Sequence, residues 1–152
     1  MGLAVKYYDP SREGGVSDIM TLAQESDVLS IHATGGEQNR NLVSRAVLEK
    51  LPAGALVVNT ARGELLDTEA LLDLLETGHL RAAALDTIDG EYFPEFETGF
   101  RTSRILQYAQ THDNLVLTPH IGGSTVDAWF LTERRVLEKA AAHMNLNAGI
   151  ES

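Results

Sequence analysis

The sequence predicts an α/β protein: a parallel sheet with flanking helices. Three observations carry this. Short apolar, β-branched runs recur along the chain, as in Val28-Leu29-Ser30-Ile31 and Leu56-Val57-Val58. Stretches with apolar residues at helical spacing lie between them. Each run ends in a turn signal, so strands alternate with helices, and that alternation demands parallel pairing with right-handed crossovers.

Taken in order, Leu3 to Tyr8 reads as a strand stopped by Asp9-Pro10. Gly14-Gly15 marks a loop, and Val16, Ile19, Met20 and Ala23 trace a short helix to about Gln24. Asp27 to His32 holds the next strand, and the polar tract from Ala33 to Arg40 is a loop. Ser44 can cap a short helix that stops before Pro52-Ala53-Gly54. The central strand follows, then a turn at Arg62-Gly63. Ala70, Leu71, Leu74 and Leu75 make one helical face, closed by Gly78. Ala82 to Leu85 is a short buried strand, Asp86 to Gly99 an acidic, aromatic loop, and Thr102 to Thr111 a helix. Leu115-Val116-Leu117 is the last strand. A long helix then runs to about Met144, with Val126, Trp129, Phe130, Val136, Leu137, Ala140 and Met144 on its apolar face.

The run Leu56 to Asp67 organises the chain. A buried strand breaks at Arg62-Gly63, and Asp67 is a good N-cap for the helix that follows. One arginine therefore stands at the carboxyl end of a buried strand, where open α/β sheets bind ligands. Its fork of donors fits a carboxylate in two parallel hydrogen bonds. The plain alternative is a loop arginine paired with a surface acid. A second cluster is Thr118-Pro119-His120-Ile121-Gly122-Gly123. Here proline stiffens the approach, the glycines permit tight turns, and Ser124 or Thr125 caps the next helix. A histidine can move a proton near neutral pH; it can also simply tie down a loop. A third is the acidic loop after Leu85, with Asp86, Asp89, Glu91 and Glu95. A solvated acidic surface is the competing reading there.

Composition sets outer bounds. The 152 residues suit one domain with a real core. Net charge is −10 with only 12 basic residues and no basic cluster, which argues against a nucleic-acid surface. There is no cysteine, hence no disulfide or thiolate metal site. No apolar run approaches the roughly 18 residues of a membrane span, and no signal pattern opens the chain. His79, His112 and His143 have no ligand spacing, so no metal is expected.

The three clusters, in this order, resemble the D-isomer-specific 2-hydroxyacid dehydrogenases. The signature elements are N-T-A-R-G at 59–63, Asp86 followed five residues later by Glu91, and P-H-I-G-G at 119–123. The resemblance implies a Rossmann-like, NAD-binding domain acting in hydride transfer between NAD(H) and a small 2-hydroxy or 2-oxo acid. It assigns Arg62 to the substrate carboxylate, His120 to proton transfer and Glu91 to orienting His120. It assigns cofactor contacts to Asp9 (adenosine ribose), His32, Thr60, Ala61, Asp86 (nicotinamide carboxamide), Gly122 and Gly123. Asp9 before Pro10 also reads as an ordinary turn residue, and His32 as a hydrogen-bonded strand end. A carboxylate at Asp9 would repel a 2′-phosphate and favour NAD over NADP. Two departures stand out: Thr34 and Tyr92 occupy positions where the family commonly has proline. The lack of cysteine fits a cytoplasmic protein, and the resemblance further implies a homodimer.

The G-x-G-x-x-G phosphate loop is missing from these 152 residues. Residues 1–152 are therefore expected to be a partial NAD-binding domain that starts at the second strand, with the substrate domain absent and no activity alone. In the order 3-2-1-4-5-6 the first strand is central, so Leu3–Tyr8 is expected to lack a neighbour. That gap would be closed by rearrangement, a second chain or a partner segment. The alternative function is a non-catalytic nucleotide-binding or protein-interaction module. The tract between Glu91 and His120 is open among a lid, a dimer surface and core cover.

Overall fold

The computed structural model describes residues 2–143. The chain divides into two compact units, Met1–Pro119 and His120–Ser152, each described by itself.

The first unit is built on four parallel strands: β1 (Val28–Ile31), β2 (Ala55–Asn59), β3 (Leu80–Leu85) and β4 (Leu115–Leu117), in the spatial order β1-β2-β3-β4. Helices connect them: α1 (Ile19–Gln24) before β1, α2 (Arg45–Leu48), α3 (Thr68–Glu76), α4 (Phe96–Arg101) and α5 (Arg104–Thr111). Alternate residues of β2 are buried (Ala55, Val57, Asn59). Ala55 and Val57 join Leu71, Leu72 and Leu75 of α3, and Leu48 and Leu51 in and just after α2, in one continuous core. Ile31, Asn59, Leu85 and Leu117 stand opposite one another across the sheet, so the strands end along one row. The register shifts by one residue between Ala55 and Leu56, at the other end of the β2–β3 pair.

The elements expected from sequence form with small shifts. Asp67 caps α3 by accepting from the Ala70 N–H at 3.0 Å. Gly78 closes the helix at φ 73°, a conformation that favours glycine. Ser44 stands at the α2 N-cap without a side-chain cap bond. β3 begins two residues early, at Leu80. The loop expected over 86–99 is interrupted by α4, whose Phe96 and Phe100 stack at 5.0 Å on one face. α5 starts at Arg104 because Ser103, not Thr102, caps it. Its Ile105 and Tyr108 are buried in the core, so the helical end of this tract is core cover, while Tyr92 and Phe93 stay exposed.

One expected strand does not form. Residues 3–8 belong to no sheet. A strand needs a neighbour to take its backbone groups, and none of the described residues supplies one. The segment is held instead by Lys6–Glu25 at 2.7 Å, by the Tyr7 hydroxyl donating to Glu13 O, and by Val16 N–H donating to Tyr7 O at 2.9 Å. Leu3 and Val5 are left exposed. The outer edge of β1 is likewise unpaired among the described residues, so the gap is not closed by rearrangement.

An ion network ties α2, α3 and α5. Arg104 reaches Glu69 (2.8 Å), Asp73 (2.8 Å) and Glu76 (3.0 Å), and Arg45 reaches Asp73 at 2.6 Å. Hydrogen bonds from Arg45 and then Arg104 hold the Asp73 carboxyl below its ordinary value of 3.8. A depressed folded pKa contributes stability above the unfolded value, and that stability is lost as pH falls through the folded one. Asp73→Asn is therefore expected to lower the melting temperature at neutral pH, the difference shrinking as pH drops below about 4. Thermal melts of both proteins at several pH values check this.

The second unit carries α6 (Val126–His143). Thr125 caps it, its hydroxyl accepting from the Ala128 N–H at 3.1 Å. None of its residues is buried; Val126, Trp129, Phe130, Val136 and Leu137 are exposed. Met144, expected on the same face, lies outside the described residues.

Candidate functional site

The loops after β1, β2 and β3 meet at the row where the strands end. Asn59, the last residue of β2, is fully buried. Its side-chain amide donates to Arg62 O at 2.8 Å and accepts from Ala61 N–H at 3.0 Å. One side chain thus closes the turn Thr60-Ala61-Arg62 on both sides. Gly63 then passes directly against the next loop: a Cβ there would lie 2.1 Å from Ile88 C and 2.1 Å from Asp89 N. Only a residue without a side chain permits that approach. Gly35, from the loop after β1, lies against the Arg62 stem, where a Cβ would come within 2.9 Å of Arg62 Cγ. Gly36 N–H donates to Glu64 Oε1 at 3.2 Å and fastens that loop to the turn.

Arg62 is exposed, and its guanidinium donates to Ala61 O at 2.6 Å. No carboxylate among the described residues lies within ion-pair distance of it, so the surface-acid alternative is not realised there. Asp86 is buried at the end of β3. Its N–H donates to Asn59 O at 2.9 Å and its carboxylate accepts from the Thr118 hydroxyl. Glu91 is half-buried and turned back on its own loop, 3.4 Å from Ile88 N–H. The competing acid Asp89 is paired with Arg40 at 2.7 Å. Glu95 sits exposed at the start of α4 without a cap bond. Arg62, Asn59, Thr60, Ala61, Asp86 and Glu91 therefore share one rim of the first unit.

The remaining candidates are placed as follows. Asp9 accepts from the Ser11 N–H (2.9 Å) and hydroxyl (2.7 Å), with Arg12 at 3.4 Å. These bonds, the Ser11 hydroxyl first, hold its carboxyl below the ordinary 3.8. That is the geometry of a turn residue. His32 is exposed, its Nε2 2.8 Å from the Ser30 hydroxyl. His120, Gly122 and Gly123 belong to the second unit. His120 has φ 52°, a left-handed backbone uncommon for a residue with a side chain. Ser124 N–H donates to Ile121 O at 2.9 Å and closes the turn over the glycines.

Sequence reasoning placed Gly63 in the turn and Thr118 in the second cluster, but gave neither of them, nor Asn59, a task in holding the site. A polar residue ending an otherwise apolar buried strand was the available signal for Asn59. For Gly63 and Thr118 the signal exists only in three dimensions.

A parallel sheet with its ligand-type residues gathered on loops at the carboxyl ends of the strands defines a nucleotide-binding α/β domain. The family model described as "D-isomer specific 2-hydroxyacid dehydrogenase, NAD binding domain" matches residues 1–122. The chain belongs to that family. It is 36% identical to a hydroxypyruvate reductase of Thermotoga maritima over 89% of this chain and 42% of that protein. It is 32% identical to a glyoxylate reductase of Thermofilum pendens over 92% of this chain and 40% of that protein. The chain spans less than half the length of these curated relatives. Among solved structures, D-2-hydroxyisocaproate dehydrogenase superposes with a TM-score of 0.69 at 27% identity, covering 82% of this chain and 40% of that one. An NAD-complexed D-isomer specific 2-hydroxyacid dehydrogenase from Lactobacillus delbrueckii ssp. bulgaricus gives 0.69 at 26%, covering 88% and 42%.

Proposed function

We propose that the whole protein is an NAD-dependent oxidoreductase acting on a small 2-hydroxy or 2-oxo acid, and that these residues form the nicotinamide side of its cofactor domain. The observation that carries this is Arg62: a guanidinium with no acid partner among the described residues, on a turn locked by Asn59 and Gly63 beside buried Asp86. The residues at this rim fit the nicotinamide end of NAD. A buried carboxylate at Asp86 suits an amide donor, and the turn at Thr60-Ala61 brings backbone close to the same place. The G-x-G-x-x-G phosphate cradle is not among these residues, so binding by this chain alone is weak in this reading and turnover absent.

When bound, NAD(H) supplies or takes the hydride. Arg62 grips the substrate carboxylate through two parallel hydrogen bonds and fixes the orientation of its carbonyl. His120 gives a proton to the carbonyl oxygen or removes one from the hydroxyl, with Glu91 as its orienting residue by family resemblance. Asp9 remains the candidate for the adenosine ribose, which requires it to exchange its Ser11 bonds for ribose hydroxyls; His32, Gly122 and Gly123 are minor contacts. The family resemblance also supports a homodimer, and the cysteine-free composition a cytoplasmic protein.

The test is NADH fluorescence on the purified chain, with and without 2-oxo acids. NADH emission is expected to change on binding. A 2-oxo acid is expected to deepen the change, and Arg62→Gln to remove the second effect while leaving the first. An unchanged NADH signal sinks the cofactor reading and favours a protein-interaction module. Turnover that disappears in His120→Ala shows instead that the chain is catalytic by itself.

A further inference from the structure

We propose that Thr118 is a positioning residue for the cofactor site: its hydroxyl aims the Asp86 carboxylate from across the β3–β4 pair. This rests on the reading that Asp86 receives the nicotinamide carboxamide, and it adds a residue to which neither the motifs nor the family match gives a role.

The geometry is direct. Thr118 follows the last residue of β4, and its N–H donates to Leu85 O at 3.0 Å, continuing the β3–β4 ladder by one bond. That bond fixes the threonine backbone against the end of β3. Its hydroxyl is then placed on the carboxylate of the next residue, Asp86, as donor. Asp86 is held from the opposite side by its own N–H on Asn59 O at 2.9 Å. Its backbone is thus set by β2 and its carboxylate by the residue after β4. A carboxylate has two oxygens with about four acceptor sites. The hydroxyl donor from Thr118 takes one of these sites and steers the orientation of the group. Because Asp86 is buried, its carboxylate also depends on charge-assisted hydrogen bonds for stabilisation there. Valine has nearly the shape of threonine and lacks the hydroxyl, so it removes the donor with little change in packing. Serine keeps the donor.

Two measurements test this. In the ligand-free chain, the side-chain carboxyl ¹³C resonance of Asp86 is expected to move in Thr118→Val and to stay near its original position in Thr118→Ser. In NADH titrations, Thr118→Val is expected to weaken binding about tenfold, with Thr118→Ser close to the unsubstituted chain. A double-mutant cycle separates aim from scaffold. If Thr118 acts through Asp86, adding Thr118→Val to Asp86→Asn weakens NADH binding no further. Additive losses, an unmoved carboxyl resonance, or Thr118→Val binding at full strength while Asp86→Asn binds weakly would each overturn the inference and leave the parent reading standing. Full binding by Asp86→Asn, or no NADH response from the unsubstituted chain, would overturn the parent reading and the inference with it. A Thr118→Val chain that does not fold leaves the serine comparison: Thr118→Ser that folds and shifts the carboxyl resonance or loses NADH binding also refutes it.

Discussion

Gly63→Ala is expected to destabilise the chain by about 3 kcal/mol, the upper end for adding one carbon to a packed interior. The added methyl would meet backbone atoms of Ile88 and Asp89 at 2.1 Å. A side chain can rotate away from such a contact; two main-chain segments cannot, so the turn and the loop must part. The loss should show in urea unfolding as a lower midpoint at an unchanged slope. The functional consequence should be larger than the loss of stability, since the parting moves Arg62 away from the loop that carries Asp86 and Glu91. In the NADH assay, the response to a 2-oxo acid should vanish even under conditions where the variant remains folded. Equal stability of Gly63→Ala and the unsubstituted chain would contradict the close approach itself.

Asn59→Ala should cost about 2–4 kcal/mol. It deletes two hydrogen bonds at a fully buried position, strands the Ala61 N–H at a cost of roughly 1–3 kcal/mol, and leaves Arg62 O with the 3.3 Å bond from the Leu65 N–H. Asn59→Asp sharpens the test. It keeps the acceptor for Ala61 N–H but sets a carboxylate against Arg62 O, so the introduced carboxyl should have a raised pKa in the folded state. A raised folded pKa means that its contribution is intact below the unfolded value, near 3.9, and is lost as pH rises through the folded one. Asn59→Asp should therefore approach the parent's stability in acid and fall away toward neutrality, a trend that urea unfolding at several pH values would read directly. Asn59→Ala should show no such additional dependence.

The fold was legible where short-range pattern and long-range packing agree. Val57 and Leu71 announce themselves as core by spacing alone, and both are fully buried. Asp67 reads as a cap and is one. The pattern misled at residues 3–8, because an apolar alternating run becomes a strand only beside another strand, and sequence shows the run but not its neighbour. It also overlooked α4, whose start at Glu95 carries no cap bond and whose support is the Phe96–Phe100 stack. At the site, the motifs named Arg62, Asp86, Glu91 and His120 by their resemblance to a family. They did not show what holds those residues. Asn59, Gly63 and Thr118 act through contacts with residues that are close in space, two of the three across a strand or loop boundary, and nothing in the local pattern of Gly63 or Thr118 distinguishes them from ordinary turn residues.

The extra residue in the β2–β3 ladder falls at Arg81, next to Ala55 and Leu56, while Asn59, Leu85 and Leu117 remain level at the opposite margin. Slippage in strand length is thereby absorbed on the side away from the chemistry. Changes in length among the connections entering β2 and β3 need not be transmitted along the strands to the turns that leave them. A lineage could lengthen or shorten those connections without retuning the spacing of its reactive groups, whereas a single residue gained between Asn59 and Gly63 would have no such buffer.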